Sequence, residues 1–201
     1  MVQNLIILNG VFFLLQSAVP EVNLDPLALQ MVCYPSHCFI TFSMLWQLFT
    51  YSLLHGGIFH FAFNMYSLWL FGNHCETYYG SAFFIVTYLV SVVIAGMLHI
   101  AIAIFLNQST IVIGASGGVF GVLLLFGFTF PRLELQLLFP PIKLSAKTLV
   151  IVYGVLELLF GVGNIFSSVA HFAHLGGLLG GYLCYRFRTT LLQLLFTLKK
   201  R

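Results

Sequence analysis

The chain has 201 residues, of which 60% are hydrophobic and only 6% charged, against about 25% charged in an ordinary soluble domain. So few polar side chains cannot clothe a water-facing surface, which excludes a soluble globular enzyme and leaves lipid as the solvent for most of the exterior. The net charge of +3 comes from clustered basic residues and calls for no nucleic-acid partner.

A membrane-spanning helix needs roughly 20 mostly apolar residues at about 1.5 Å rise each. Six stretches meet or approach that length: residues 2–19, 53–71, 82–106, 111–130, 148–162 and 165–187. The first ends in Gln16-Ser17-Ala18 but lacks a basic leader, so it reads as a retained helix and not a cleaved signal. The loop after it, residues 21–47, follows Pro20 and carries Pro26, Pro35, Phe39, Phe42 and Trp46. That mixture predicts partly helical pieces at the membrane interface. Cys33 and Cys38 share this loop, and their spacing leaves open whether a bridge closes across Tyr34-Pro35-Ser36-His37. With Cys75 and Cys184 they form no C-x-x-C pair of the zinc or thioredoxin kind.

The second segment opens with His55, His60 and Asn64. His60 and Asn64 are four apart and share a helical face, and both can donate hydrogen bonds. The fourth opens with Gly114-Ala115-Ser116-Gly117-Gly118-Val119-Phe120-Gly121. Gly114 with Gly118, and Gly117 with Gly121, make small-xxx-small pairs of the kind that let membrane helices meet backbone to backbone. Packing alone would account for the glycines. A helix start also presents free N–H groups, which suits a serine that must stabilise an oxyanion. The connection 131–147 carries Pro140-Pro141, which stops any helix running through it.

The fifth segment holds Glu157, the sole carboxylate in any expected span. It reads first as a structural hydrogen bond, with a role in orienting another group left open, so the machinery expected is a Ser–His dyad and not a triad. The sixth reads Ala170-His171-Phe172-Ala173-His174-Leu175-Gly176-Gly177-Leu178-Leu179-Gly180-Gly181. His174, Gly177 and Gly181 fall at i, i+3 and i+7 and share one face, which can press on the glycines of the fourth segment. A serine is a poor nucleophile until a base takes its proton, and imidazole is the usual partner. Ser116 as nucleophile and His174 as base is therefore the leading pairing. His171 reads as an interfacial histidine bonded to water or a carbonyl.

Every basic residue lies in one of two places. Arg132, Lys143 and Lys147 separate the fourth and fifth segments; Arg186, Arg188, Lys199, Lys200 and Arg201 follow the sixth. With six spans both places share one face, so both termini are expected to be cytoplasmic. No linker or internal repeat divides residues 1–201, which are expected to form one domain unlike the inverted-repeat transporters.

Taken together, His55-x4-His60-x3-Asn64, Gly114-Ala115-Ser116-Gly117 and Ala173-His174-x2-Gly177-x3-Gly181, in order on the second, fourth and sixth segments, resemble the rhomboid intramembrane proteases. The resemblance implies an all-α membrane protein with a six-helix rhomboid-like bundle. It implies that Ser116 attacks, that His174 is its base, and that His60, Asn64 and the Ser116 N–H form the oxyanion hole. His55, Gly114, Gly117, Phe120, Gly177 and Gly181 would support that site. Phe120 stands where the family often has Tyr, implying a stack on His174 without the hydroxyl. Glu76 and Gly80 match a structural Glu-x3-Gly element. Trp46-Gln47 replaces a frequent Trp-Arg pair, so the internal salt bridges of the first loop are not implied.

The implied partners are the lipid bilayer and single-span membrane substrates whose outer end unwinds easily, cut after a small residue. No cofactor or metal is expected, and the expected location is the inner membrane of a prokaryote, as a multi-pass integral protein. Two other readings stand beside this one. The first is a catalytically inactive relative that binds membrane clients. The second is a haem or metal site on His55, His60, His99 and His174, which lacks soft-ligand spacing and leaves the glycines unexplained.

Overall fold

The computed structural model describes residues 1–18, 24–34, 37–136, 141–163 and 168–199. Among these, eight α-helices dominate: α1 Val2–Ala18, α2 Met44–Thr50, α3 Ile58–Tyr79, α4 Ser81–Phe105, α5 Ser116–Thr129, α6 Ala146–Val162, α7 Ser168–Arg186 and α8 Arg188–Lys199. Each of the six expected stretches contains a helix, α1 and α3 to α7. Among the described residues only α4 is long and apolar enough to cross a membrane by itself, while α1 and α5 are shorter apolar helices.

The centre of the fold is α5. Gly117, Val119, Val122 and Leu125 to Gly127 are all buried, because α3, α4, α6 and α7 pack around it. At 14 residues it is about 21 Å long, and its partners, not lipid, satisfy its apolar surface. The seam with α7 is glycine on glycine. A Cβ on Gly177 would collide with the Gly117 carbonyl, and one on Gly181 with the Gly121 carbonyl. On its other side α7 meets α4 in the same manner, Gly176 against Ala95 and Ile94, Gly180 against Ser91. Removing side chains from these positions lets backbones approach closely, so dispersion contacts replace the hydrophobic drive that lipid does not supply.

Several boundaries differ from the sequence expectation. The stretch opening at residue 111 begins as a strand, β3 Thr110–Val112, because three β-branched residues fit an extended edge and a short apolar run does not by itself distinguish strand from helix. Gly114 therefore lies before α5, and the Gly114/Gly118 pair is not a helix seam; Gly118 instead faces the Tyr88 ring of α4. The second helix starts five residues later than expected and runs to Tyr79, where Gly80, at φ 84°, turns the chain into α4. Its last turn holds Glu76, which accepts from the Met1 ammonium at 2.6 Å and the Val2 N–H at 2.9 Å. Ser145 caps α6 by accepting from the Thr148 N–H at 3.2 Å, as N-cap serines do. Helix α8, which follows the sixth segment, is not among the expected stretches; Leu191, Leu192 and Leu195 pack it onto the core.

The first loop combines the expected helical pieces with strands. β1 Leu29–Tyr34 pairs antiparallel with β2 His37–Phe39 on one side and with β3 on the other. Cys33 and Cys38 face each other in this register and are joined by a disulfide. Pro20, Pro35 and Ser36 lie outside the described residues. Gln47, where a Trp-Arg pair would place a charge, is buried and works as an amide. It donates to the Pro26 carbonyl at 3.2 Å and accepts from the Gln30 N–H at 3.4 Å. The connection between α5 and α6 holds a second hairpin, β4 Glu134–Gln136 with β5 Lys143–Ser145. Pro140, half of the expected helix stop, lies outside the described residues.

Candidate active site

The turn that delivers Ser116 is fixed from below by Tyr51. Its carbonyl accepts from the Gly114 N–H at 2.9 Å, and its buried hydroxyl donates to the Val92 carbonyl of α4 at 2.7 Å. Gly114 has φ 122°, a conformation open to glycine at little cost. A Cβ there would also sit 2.7 Å from Cε1 and Nε2 of His60. Only glycine meets both conditions, and it places the His60 edge beside the first residue of α5.

That residue is Ser116, half-buried at the helix start, with the Ala115 backbone preceding it in helical conformation. The glycine seam sets α7 against α5 so that His174 Nε2 lies 2.8 Å from Ser116 Oγ. One helical turn along α5, the Phe120 ring lies flat on the imidazole, with centroids 4.5 Å apart and planes 7° from parallel. Tyr153 of α6 meets the far side of Phe120 edge-on. A hydroxyl within hydrogen-bond distance of an imidazole held on one face by an aromatic ring can lose its proton to that nitrogen as it attacks a carbonyl.

Two donors come from α3. His60 Nδ1 accepts from the Gly56 N–H at 3.3 Å, which leaves Nε2 to carry the proton in the neutral ring. That is the edge turned toward Gly114. Asn64 is buried and gives one amide N–H to the His60 carbonyl at 3.0 Å, keeping a second. His55 does not reach Ser116 directly. Its buried ring meets His60 and Phe61 edge-on, at 5.1 and 5.3 Å between centroids, and its backbone N–H donates to Gln16 of α1 at 2.9 Å. These contacts connect it to both α1 and the His60 ring.

The opposite side of His174 differs from the sequence expectation. Glu157 Oε2 lies 3.0 Å from His174 Nδ1 and 2.6 Å from His171 Nδ1. His171 is therefore bonded to a carboxylate instead of water or a carbonyl. The helical spacing of α7 put His171 and His174 near one another, but the rotation of α6 that aims Glu157 at both has no signature in its sequence. Among the described residues, Glu157, His171 and His174 are also the one group whose metal-ligating atoms lie within 4.8 Å of one another. His55, His60, His99 and His174 form no such group, since they are spread over three helices and a loop.

Residues 43–189 match the family model of the rhomboid domain. The chain is similar to Rhomboid protease GluP of Bacillus subtilis, at 34% identity over 68% of this chain and 25% of that protein. It is similar to RHOMBOID-like protein 1 of Arabidopsis thaliana, at 32% over 69% of this chain and 33% of the relative. It is also similar to Rhomboid protease GlpG of Pectobacterium atrosepticum, at 31% over 69% of this chain and 47% of the relative. The chain thus spans a quarter to about half the length of these three. Relatives come from bacteria, from a plant and from yeast and plant mitochondrial proteins. They speak for an integral membrane protein and not for the bacterial inner membrane in particular.

Proposed function

The chain belongs to the rhomboid family, and from that premise we propose that it is an intramembrane serine endopeptidase with Ser116 as nucleophile and His174 as general base. The observation that carries this reading is the 2.8 Å approach of His174 Nε2 to Ser116 Oγ, reached through a seam that only glycine permits. Ser116 Oγ attacks the scissile carbonyl while its proton moves to His174 Nε2. The oxyanion that forms takes hydrogen bonds from the Ser116 N–H, from His60 Nε2 and from Asn64 Nδ2. His174 then returns the proton to the leaving nitrogen, and a water activated by the same ring releases the acyl group. Removing one such oxyanion donor costs about 2.7–4 kcal/mol in soluble serine proteases. That magnitude accounts for burying polar side chains among apolar helices.

The reading includes six spans, α1 and α3 to α7, with both termini of this chain on the cytoplasmic side. Its support is the segregation of lysine and arginine from the end of α5 to the first turn of α6, and from the last residue of α7 onward. The Cys33–Cys38 disulfide sits on the opposite face, where an oxidising compartment would sustain it. The substrate proposed is a single-span membrane helix with Gly, Pro or polar residues near its outer end. A helix hides its scissile carbonyls behind backbone hydrogen bonds, and opening one in lipid strands polar groups. A small residue before the cut belongs to the same reading, because the turn that carries Ser116 is closely packed, with Gly114 against the His60 ring and Gly117 against Ala95 and Tyr51.

The test is cleavage of a membrane-tethered reporter by purified protein, its Ser116→Ala variant and its His174→Ala variant. Both variants are expected at background with unchanged helix content. Full cleavage by Ser116→Ala protein would reject the nucleophile. Absence of cleavage and of serine-probe labelling in the unsubstituted protein would favour a membrane-client binder.

A further inference from the structure

A carboxylate inside a membrane helix is costly and marks a functional residue together with its partner. Glu157 has two partners, and one of them is His174. Measured through contacts, Ser116 Oγ to His174 Nε2 is 2.8 Å and His174 Nδ1 to Glu157 Oε2 is 3.0 Å. The carboxylate therefore stands on the nitrogen opposite the one that faces the serine. We infer that Glu157 is a positioning residue for His174, giving this chain a Ser–His–Glu arrangement in which the nearby negative charge favours a proton on Nδ1 and balances the imidazolium that forms during attack. This inference rests on the Ser116–His174 reading above.

The protons balance without any further reactant. As the Ser116 Oγ–carbon bond forms, the carbonyl electron pair moves onto oxygen and the serine proton moves to His174 Nε2. His174 keeps its Nδ1 proton, now facing Glu157, which stays ionised throughout. When the carbon–nitrogen bond breaks, the Nε2 proton leaves with the amine.

In the resting arrangement the in-line hydrogen bond of Oε2 goes to His171 at 2.6 Å. His174 Nδ1 is at hydrogen-bond distance but off the N–H direction, and it has no other bond. Only an angle has to change for the second bond to form, not a distance. His171 acts as the anchor that keeps the carboxylate in place while His174 is neutral. A cation would fit these positions less well. Tetrahedral zinc with ligands at 2.0–2.1 Å spaces its donors about 3.3 Å apart, whereas His171 Nδ1 and Glu157 Oε2 are 2.6 Å apart, closer than two ligands of one such ion and near the short end for a hydrogen bond to a carboxylate.

Among the described residues, the titratable groups that packing contacts bring against this pair are few. They are His60 from α3, whose Nε2 edge lies against Gly114 close to Ser116, the Ser116 hydroxyl from α5, Tyr153 from α6 beyond Phe120, and His171 from α7 itself. Helix α4 meets α7 through Ser91, Ile94, Ala95 and Leu98, none of which titrates near neutrality. Glu157 is thus the one negative charge among them.

The experiment is reporter cleavage by the full chain in liposomes, with kcat and KM measured across the imidazole titration range, about pH 5 to 8. It compares unsubstituted protein with Ser116→Ala, Glu157→Gln and Glu157→Asp, each with and without a chelator. A carboxylate favours the protonated ring, so removing its charge lets the base become free at lower pH. Glu157→Gln is expected to lower kcat on the order of 100-fold, to change KM little, and to move the acid limb of kcat/KM to lower pH. Glu157→Asp keeps the charge at a longer reach and should fall between. It carries the decision if the Gln variant does not fold.

Loss of rate with an unmoved acid limb would make Glu157 a mere tether between α6 and α7 and overturn the inference. So would full activity of Glu157→Gln beside inactive Ser116→Ala. A chelator-dependent rate would put a cation in the site and overturn it as well. Cleavage by Ser116→Ala protein is a separate result that removes the nucleophile assignment and this inference with it.

Discussion

His174 is held on two sides by different means. Toward Ser116 it is set by α7 lying on α5, where Gly177 and Gly181 meet the Gly117 and Gly121 backbone, and on α4, where Gly176 and Gly180 meet the backbone and the short side-chain stems of residues 91 to 98. Toward α6 it meets Glu157 on a helix that turns Ile151, Val155, Leu158, Leu159 and Val162 outward. The first contact is steric and fixed by the absence of atoms. The second is electrostatic, and sits on a helix with far fewer packing constraints. Substituting the same residue type on the two helices should therefore give opposite outcomes.

The largest effect is expected from Gly177→Ala. The added methyl meets the Gly117 carbonyl, and backbone cannot move aside as a side chain can, so a loss of about 3 kcal/mol of stability is expected, with cleavage at background. Thermal unfolding in detergent and reporter cleavage measure the two. Unchanged activity would show that the seam does not position His174. Next comes Gly114→Ala, which strains a backbone at φ 122° and pushes on the His60 ring. Its expected cost is about 100- to 1,000-fold in kcat, the size of a lost oxyanion donor, with KM nearly unchanged.

Phe120→Ala removes the ring stacked on His174. Aromatic pairs are worth about 0.5–1.5 kcal/mol beyond their area, so cleavage should fall about tenfold while Ser116 remains reactive toward a serine probe. The smallest effect belongs to α6. Gly154→Ala would place its methyl 3.5 Å from Leu178 Cδ1, an ordinary contact, and alanine is the better helix former by about 1 kcal/mol. Stability equal to or slightly above that of the unsubstituted protein is expected in the same melt. A loss there matching that of Gly177→Ala would erase the contrast between the two helices.

The fixed side was the legible one. Spacing alone put His174, Gly177 and Gly181 on one helical face, and in the structure Gly177 and Gly181 lie against Gly117 and Gly121 of α5. A helical period fixes which residues share a face, and glycines announce close approach. What the period does not carry is how one helix is rotated against another. Glu157 was recognisable as the lone carboxylate in a span, yet its aim at both His171 and His174 follows from the setting of α6 on α7. Ile111-Val112, at the start of the expected fourth segment, differ for another reason. Apolar β-branched residues continue a hydrophobic run without a break, and the strand they form is selected by pairing with Leu29, Gln30 and Met31, about eighty residues earlier in the chain. Likewise Tyr51, which fixes the turn before Ser116 through one carbonyl and one hydroxyl, looks like any aromatic at a helix end until Gly114 and Val92 are seen beside it.

The central claim is that Ser116 is made nucleophilic by His174, and serine labelling tests it most directly. Purified protein is treated with a fluorophosphonate probe and the modified peptide is mapped by mass spectrometry. Modification at Ser116 is expected, abolished in Ser116→Ala and slowed at least 100-fold in His174→Ala. Labelling of Ser116 at an undiminished rate in the His174→Ala protein, or of another serine alone, would contradict the account.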